Sequence, residues 1–174
     1  MNADFFLIQK IKKGDETAID ELVHKYYHSI LQYCRYHTFD QDMAEDLTQE
    51  TFIKFFRNVS DYRHMGKVIN YLYVIARNLC IDYGRKQHEI LIDDIGILEN
   101  KKENSGLNNI EIKIDMEQAL RKLPDEMREV ITLYYFQGFS MVEIAKILDI
   151  GVSLTKYRIK RAKEQLKEIL RKEY

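Results

Sequence analysis

Lys156, Lys160, Lys163 and Lys167 recur at intervals of three and four, so a helix would carry them as one uninterrupted stripe, with Arg158 and Arg161 beside it. One residue earlier, Thr155, Ile159, Ala162 and Leu166 make a second stripe suited to burial. Clustered cations attract phosphate, whereas base readout needs side chains near the start of a helix that enters a groove. Just upstream, Ser140 and Glu143 form the S-x-x-E capping pattern that starts a short helix through Leu148, and Asp149, Ile150 and Gly151 turn into a last helix from about Ser153 to Leu170. A short capped helix, a tight turn and a longer basic helix is the layout of a helix-turn-helix reader of duplex DNA, with Ile144, Ala145, Leu148 and Ile150 where its helices pack. Without that layout a lysine stripe reads as a solvated face. With it, Ser153, Lys156, Tyr157 and Lys160 are candidates for groove contacts, and Lys163 and Lys167 see phosphate or solvent.

A second basic segment mixes its cations with aromatic and amide groups: Tyr62, Arg63, His64, Lys67, Asn70, Tyr71, Tyr73, Arg77, Asn78, Arg85 and Lys86. Rings beside cations suit single-stranded or unstacked bases, each stack contributing about 1–3 kcal/mol. For Tyr71 and Tyr83 a place in the core is an equal expectation.

A third group is acidic. Asp42, Glu45, Asp46, Gln49 and Glu50 share one side of a helix whose other side is Ala44, Leu47, Thr51 and Phe55, widened by Phe52, Phe56 and Val59. Carboxylates at these spacings could bind a divalent cation, as in helical metal-dependent nucleotide hydrolases. No second E-x-x-D or E-x-x-E set aims at the same centre, so a docking surface for a basic partner ranks ahead.

The elements that must position these groups are helical. A hydrophobic fraction of 45% with 12 Tyr and 8 Phe supplies core material, while one Pro and seven Gly leave little turn chemistry for an all-β fold. Gly14 and Asp15 precede a stripe of Ala18, Leu22, Tyr26, Ile30 and Tyr33; a helix from about Lys67 to Lys86 turns Leu72, Ile75, Ala76, Leu79 and Tyr83 inward. Further on, a helix over about Glu111 to Lys122 stops at Pro124, which opens another over Asp125 to Phe136, ended by Gly138. Between the two groups of helices, around Asp93, Asp94 and the run Asn100 to Gly106, apolar spacing weakens.

The formal charge of −1 excludes a bulk polycation, yet by segment it is −3 over 1–60, +3 over 61–88, −5 over 89–117, −1 over 118–150 and +5 over 151–174. The expectation is an all-α chain of two small helical domains, 1–88 and 113–174, joined by a flexible acidic linker over 89–112. Cys34 and Cys80 are too few and too isolated for a paired-thiolate zinc site and read as small buried hydrophobes. The start, Met1 to Gly14, has no signal-peptide core, and no apolar run approaches the ~20 residues that span a bilayer, so a cytoplasmic protein is expected.

Three stretches, in order, resemble the extracytoplasmic-function (ECF) class of bacterial RNA polymerase sigma factors. DMAEDLTQETFIKFFRN (Asp42 to Asn58) resembles the polymerase-docking helix of region 2, INYLYVIARNLCIDYGRK (Ile69 to Lys86) its promoter-melting segment, and ALRKLPDEMREVITLYYFQGFSMVEIAKILDI (Ala119 to Ile150) with SLTKYRIKRAKEQL region 4. The resemblance implies that Asp46, Gln49 and Glu50 contact the polymerase clamp helices. It implies that the loop from Asp61 to Val68 reads a flipped base of the minus-ten element, with Tyr62, Arg63, Lys67, Asn70, Tyr73, Arg77, Asn78 and Arg85 on the DNA side. Ser153, Lys156, Tyr157 and Lys160 would read the minus-thirty-five element.

It further implies a non-enzymatic subunit without cofactor, metal or small-molecule substrate, monomeric when free, whose partners are core RNA polymerase, promoter DNA and an anti-sigma factor that can hold it at a membrane. Tyr71 stands where the family usually has Trp, Asp149 replaces the usual turn glycine, Leu154-Thr155 stands for the common Thr-Val, and the loop after Tyr62 is short. The alternatives are a stand-alone helix-turn-helix regulator and, behind it, the metal-dependent nucleotide hydrolase.

Overall fold

A computed structural model of the chain describes residues 3–63, 67–93 and 110–172. These residues form helices α1 (Ala3–Lys12), α2 (Glu16–Thr38), α3 (Gln41–Arg57), α4 (Val68–Asp93), α5 (Ile110–Arg121), α6 (Asp125–Ile131), α7 (Met141–Leu148) and α8 (Val152–Lys172), with a π-helical turn, Thr132–Phe136, directly after α6. No strand occurs among them.

The first four helices make one lobe. Asp15 caps α2 by accepting from the Thr17 and Ala18 amides, and Asp40 caps α3 by accepting from Met43. The stripe of Ala18, Leu22, Ile30 and Tyr33 is buried, as are Cys34 and Cys80. Helix α1 is an addition to the sequence reading. Its Leu7, Ile8 and Ile11 are buried while Phe5 and Phe6 face out, and its buried Asp4 accepts from Lys25 and from the Tyr26 hydroxyl at 2.7 Å. Helix α4 runs to Asp93, beyond the expected start of the linker at residue 89. Residues 94–109, most of that linker, lie outside the described residues.

In the second lobe Pro124 sits at the N-cap of α6, which starts at Asp125 as expected, and its missing N–H is harmless there. The expected helix from Asp125 to Phe136 is α-helical only to Ile131, and the following turn widens to π geometry, Gln137 donating to the Thr132 carbonyl at 3.2 Å. Gly138, at φ 68°, ends it in the left-handed region that suits glycine.

The two lobes pack against each other. One apolar cluster joins Leu72, Tyr73 and Ala76 of α4 to Val130, Leu133, Phe139, Ile144, Ile147 and Leu148 of the second lobe. Another joins Tyr36 and Phe39, at the end of α2, to Leu120, Leu123, Ile131 and Ala162, with the Tyr36 and Phe136 rings 4.7 Å apart.

Candidate polymerase and promoter interfaces

On α3 the inward face is Ala44, Thr48, Thr51, Phe52 and Phe55. The buried Thr48 and Thr51 hydroxyls donate to the Ala44 and Leu47 carbonyls at 2.7 Å, so neither leaves an unpaired polar group in the core. The opposite face presents Asp42, Asp46 and Gln49 fully and Glu45 and Glu50 partly. Ile53, one turn beyond Gln49, is 43% exposed and extends that face with an apolar group. The sequence carried a signal for it, an aliphatic residue on the polar side. Among the described residues no three His, Cys, Asp or Glu side chains are grouped to hold a metal ion.

The segment after α3 is held by α1: Lys12 donates to the Ser60 and Tyr62 carbonyls at 3.0 and 2.8 Å. This places the Tyr62 ring 5.2 Å from that of Tyr71, the planes 33° apart, with Phe55 edge-on to both. Tyr62, Arg63, Lys67, Asn70, Tyr71 and Val74 line an open pocket of about 230 Å³, which Lys146 and Ile147 of α7 close on one side. Asn70 Oδ1 is buried there and finds no hydrogen-bond partner among the described residues. A ring-lined pocket with cations at its edge can stack a planar base. Tyr71, 38% exposed, belongs to this pocket and not to the core. His64, expected in the same loop, lies outside the described residues.

The remaining minus-ten candidates divide. Asn78 and Arg85 are exposed, Arg85 pairing with Asp82 at 3.3 Å. Lys67 reaches Glu143 of α7 at 2.6 Å, and Arg77 Nε donates to Glu129 of α6 at 2.9 Å. Tyr73 corrects the expectation: it is 1% exposed, packs edge-on against Tyr33 and Phe139, and donates its hydroxyl to Gln137 Oε1 at 2.6 Å. In this arrangement it is a core residue between the lobes, because the apolar face of α4 is covered by the second lobe.

In the helix-turn-helix, the expected capping box is present: Ser140 Oγ accepts from the Glu143 amide, and the Glu143 carboxylate accepts from the Ser140 amide at 3.0 Å. Those bonds and Lys67 hold the Glu143 carboxyl down to about 2, the lysine contributing most. Asp149, in the turn, has φ 53°, a conformation costly for any residue with a Cβ. Thr155, Ile159 and Ala162 face inward on α8, while Ser153, Lys156, Tyr157 and Lys160 are exposed together, Tyr157 at 58%. Arg158 turns away to pair with Glu126 at 2.6 Å. Val152, missed in the sequence, and Leu154, one of the departures noted there, are 45% and 40% exposed beside Ser153 and could meet a thymine methyl.

These elements and their order define a two-lobed helical protein with a helix-turn-helix in its second lobe and, apart from it, an exposed acidic face on α3. Residues 22–90 match the Sigma-70 region 2 family and residues 113–166 the Sigma-70, region 4 family. The ECF RNA polymerase sigma factor SigM of Bacillus subtilis is 35% identical over 155 residues, covering 87% of this chain and 94% of that one. SigW of the same organism is 32% identical, covering 94% of this chain and 95% of that one. Among solved structures, CnrH in complex with the cytosolic domain of CnrY shares the fold, with a TM-score of 0.80 at 22% identity, covering 99% of this chain and 100% of that one. The sigma factor RpoE in complex with the anti-sigma factor NepR from Bartonella quintana gives a TM-score of 0.75 at 24% identity, covering 87% of this chain and 96% of that one. The chain belongs to the ECF class of RNA polymerase sigma factors. It is accordingly a transcription initiation factor, and the stand-alone regulator is not favoured.

Proposed function

We propose that this chain docks on core RNA polymerase through the α3 face of Asp46, Gln49 and Glu50, extended by Ile53, and reads its promoter in two forms. Region 2, placed at 1–88, takes the minus-ten element as melted strand; region 4, placed at 113–174, takes the minus-thirty-five element as duplex through Ser153, Lys156, Tyr157 and Lys160. The observation that carries the reading is the pocket of Tyr62, Asn70 and Tyr71, whose rings suit one unstacked base. Asn78 and Arg85 continue from it along α4. Extracting a base costs a few kcal/mol, comparable to what a stack and a cationic path return.

Chemistry stays with the polymerase: the chain selects where it begins and performs no catalytic step. No helix among the described residues is long and apolar enough to cross a membrane, and a cytoplasmic monomer regulated by an anti-sigma factor fits the family. Gln49→Ala/Glu50→Ala tests the docking assignment. Binding to core should weaken about ten-fold or more, roughly 1.4 kcal/mol, with the helical circular dichroism unchanged. Wild-type affinity in the double variant would overturn it.

A further inference from the structure

Lys12 stands in the last turn of α1, where a cation ordinarily serves its own helix by meeting the terminal carbonyls. Those carbonyls are already occupied: that of Lys10 accepts from the Lys13 and Asp15 amides at 2.9 and 3.2 Å, and that of Ile11 from the Gly14 amide at 2.9 Å. The ammonium is free to cross to another part of the chain, and it donates to the Ser60 and Tyr62 carbonyls at 3.0 and 2.8 Å, 48 and 50 positions away. The amides of that turn look back to α3 instead, Asp61 and Tyr62 donating to the Asn58 carbonyl at 3.2 and 3.1 Å. Local bonds thus fix where the turn begins, and Lys12 fixes the two carbonyls that flank Asp61.

The helix that carries Lys12 is itself anchored. Leu7, Ile8 and Ile11 are buried, and Asp4 accepts from Lys25 and from the Tyr26 hydroxyl. What Lys12 holds, by contrast, lies at the surface: Ser60 and Asp61 are exposed, and the Tyr62 ring turns in to lie 5.6 Å from that of Phe55 and 5.2 Å from that of Tyr71. Hydrogen bonds between exposed groups add little to global stability, because water replaces either partner. Their effect here is on direction. With the backbone held on both sides of Asp61, the Tyr62 side chain is set toward the pocket before any base arrives, and ordering completed in advance is not subtracted from the free energy of binding.

We propose that Lys12 is a positioning residue for capture of the minus-ten strand: its two bonds to the turn after α3 keep the Tyr62 and Tyr71 rings set for an unstacked base. Among the described residues the pocket wall does not include Lys12, so it acts through Tyr62. The inference rests on the base-pocket reading above. It makes α1 part of the promoter-reading machinery, as the fixed point from which the turn is held.

The test uses holoenzyme assembled from core polymerase with the wild-type chain, Lys12→Met, Lys12→Arg or Tyr71→Ala. The probe is a fluorescein-labelled nontemplate strand spanning the minus-ten element of a promoter that the wild-type holoenzyme transcribes, with a set of strands in which each base in turn is replaced by an abasic site. The stacked base is the one whose removal weakens binding by wild type and not by Tyr71→Ala. Lys12→Met keeps the apolar stem and removes the donors. It should weaken binding of the intact strand about five-fold, the effect of leaving one ring to be ordered on binding. The abasic penalty at the stacked position should shrink by a similar factor, while the salt slope, the affinity for core and the urea midpoint stay at their wild-type values. Lys12→Arg, which keeps the charge and the donors, should recover most of the loss.

Wild-type strand affinity in Lys12→Met overturns the proposal. A loss with the abasic penalty intact and the salt slope smaller by about 1 also overturns it, being the mark of a direct phosphate contact. So does a loss shared by core affinity and the urea midpoint, the mark of a merely structural residue. If no abasic position depends on Tyr71, the base-pocket reading falls and the inference with it, an outcome recognisable from wild type and Tyr71→Ala alone.

Discussion

His37 keeps one nitrogen of its ring buried. Its Nε2 is sealed from water without a hydrogen-bond partner among the described residues, its ring lies 4.3 Å from that of Tyr33, and burial, with Arg128 and Arg77 nearby, lowers its pKa to about 3. Unfolded, the imidazole gains a proton near 6.5; folded, it resists until about 3. A depressed folded value means stability complete above 6.5 and lost as pH falls toward 3. Between pH 7.5 and 5.5 this one group should cost about 1.4 kcal/mol, measured by urea unfolding, and His37→Phe should remove that component. At the pocket, Tyr71→Ala should weaken strand binding by the holoenzyme by about 1–3 kcal/mol, with Tyr71→Phe near wild type, as anisotropy would show. At this scale residue type was readable and environment was not. Ser153, Lys156, Tyr157 and Lys160 are exposed together as their spacing implies, whereas Tyr73 differs from Tyr71 only in which face of α4 it occupies, and that face is apolar because another lobe covers it.

Helices were the most legible level, because three-and-four spacing and capping residues are local. The capping box of Ser140 and Glu143 is formed as its pattern predicts. Helix α1 escaped because Phe5, Phe6, Leu7 and Ile8 are contiguous, so spacing alone does not choose a buried face; packing on α2 does. The π-helical turn left no local mark either, since Thr132–Phe136 carries the same apolar spacing as the helix before it. Two element-scale outcomes follow. Ser140→Ala should lower thermal stability by about 1 kcal/mol, because the start of α7 loses a cap, while Asp149→Gly should raise it by up to about 1 kcal/mol by relieving the left-handed turn. Lys156→Ala at the start of α8 should weaken binding to the minus-thirty-five element and, if the side chain meets phosphate, reduce the salt slope by about 1. Unchanged selectivity together with an unchanged slope would remove Lys156 from the interface.

For the whole molecule, the charge total of −1 conceals an internal pairing. Splitting it by segment separated acidic from basic stretches, but no local pattern marks Lys67 as the partner of Glu143, 76 positions away, or Arg77 as that of Glu129, 52 away. Tertiary packing alone creates those pairs, so the two lobes could be read from the sequence and their contact could not. Burial pushes the Glu129 carboxyl up even with Arg77 beside it, which fits a pair that sets register and adds little net stability. The central claim is that this chain confers promoter choice on core polymerase. It is tested most directly by multiple-round transcription with purified chain and core polymerase on a library of bacterial promoter fragments. The account predicts transcripts that start at a discrete set of promoters sharing a minus-thirty-five and a minus-ten element, absent with core alone and lost with Gln49→Ala/Glu50→Ala. Transcription no more selective than that of core alone would contradict it.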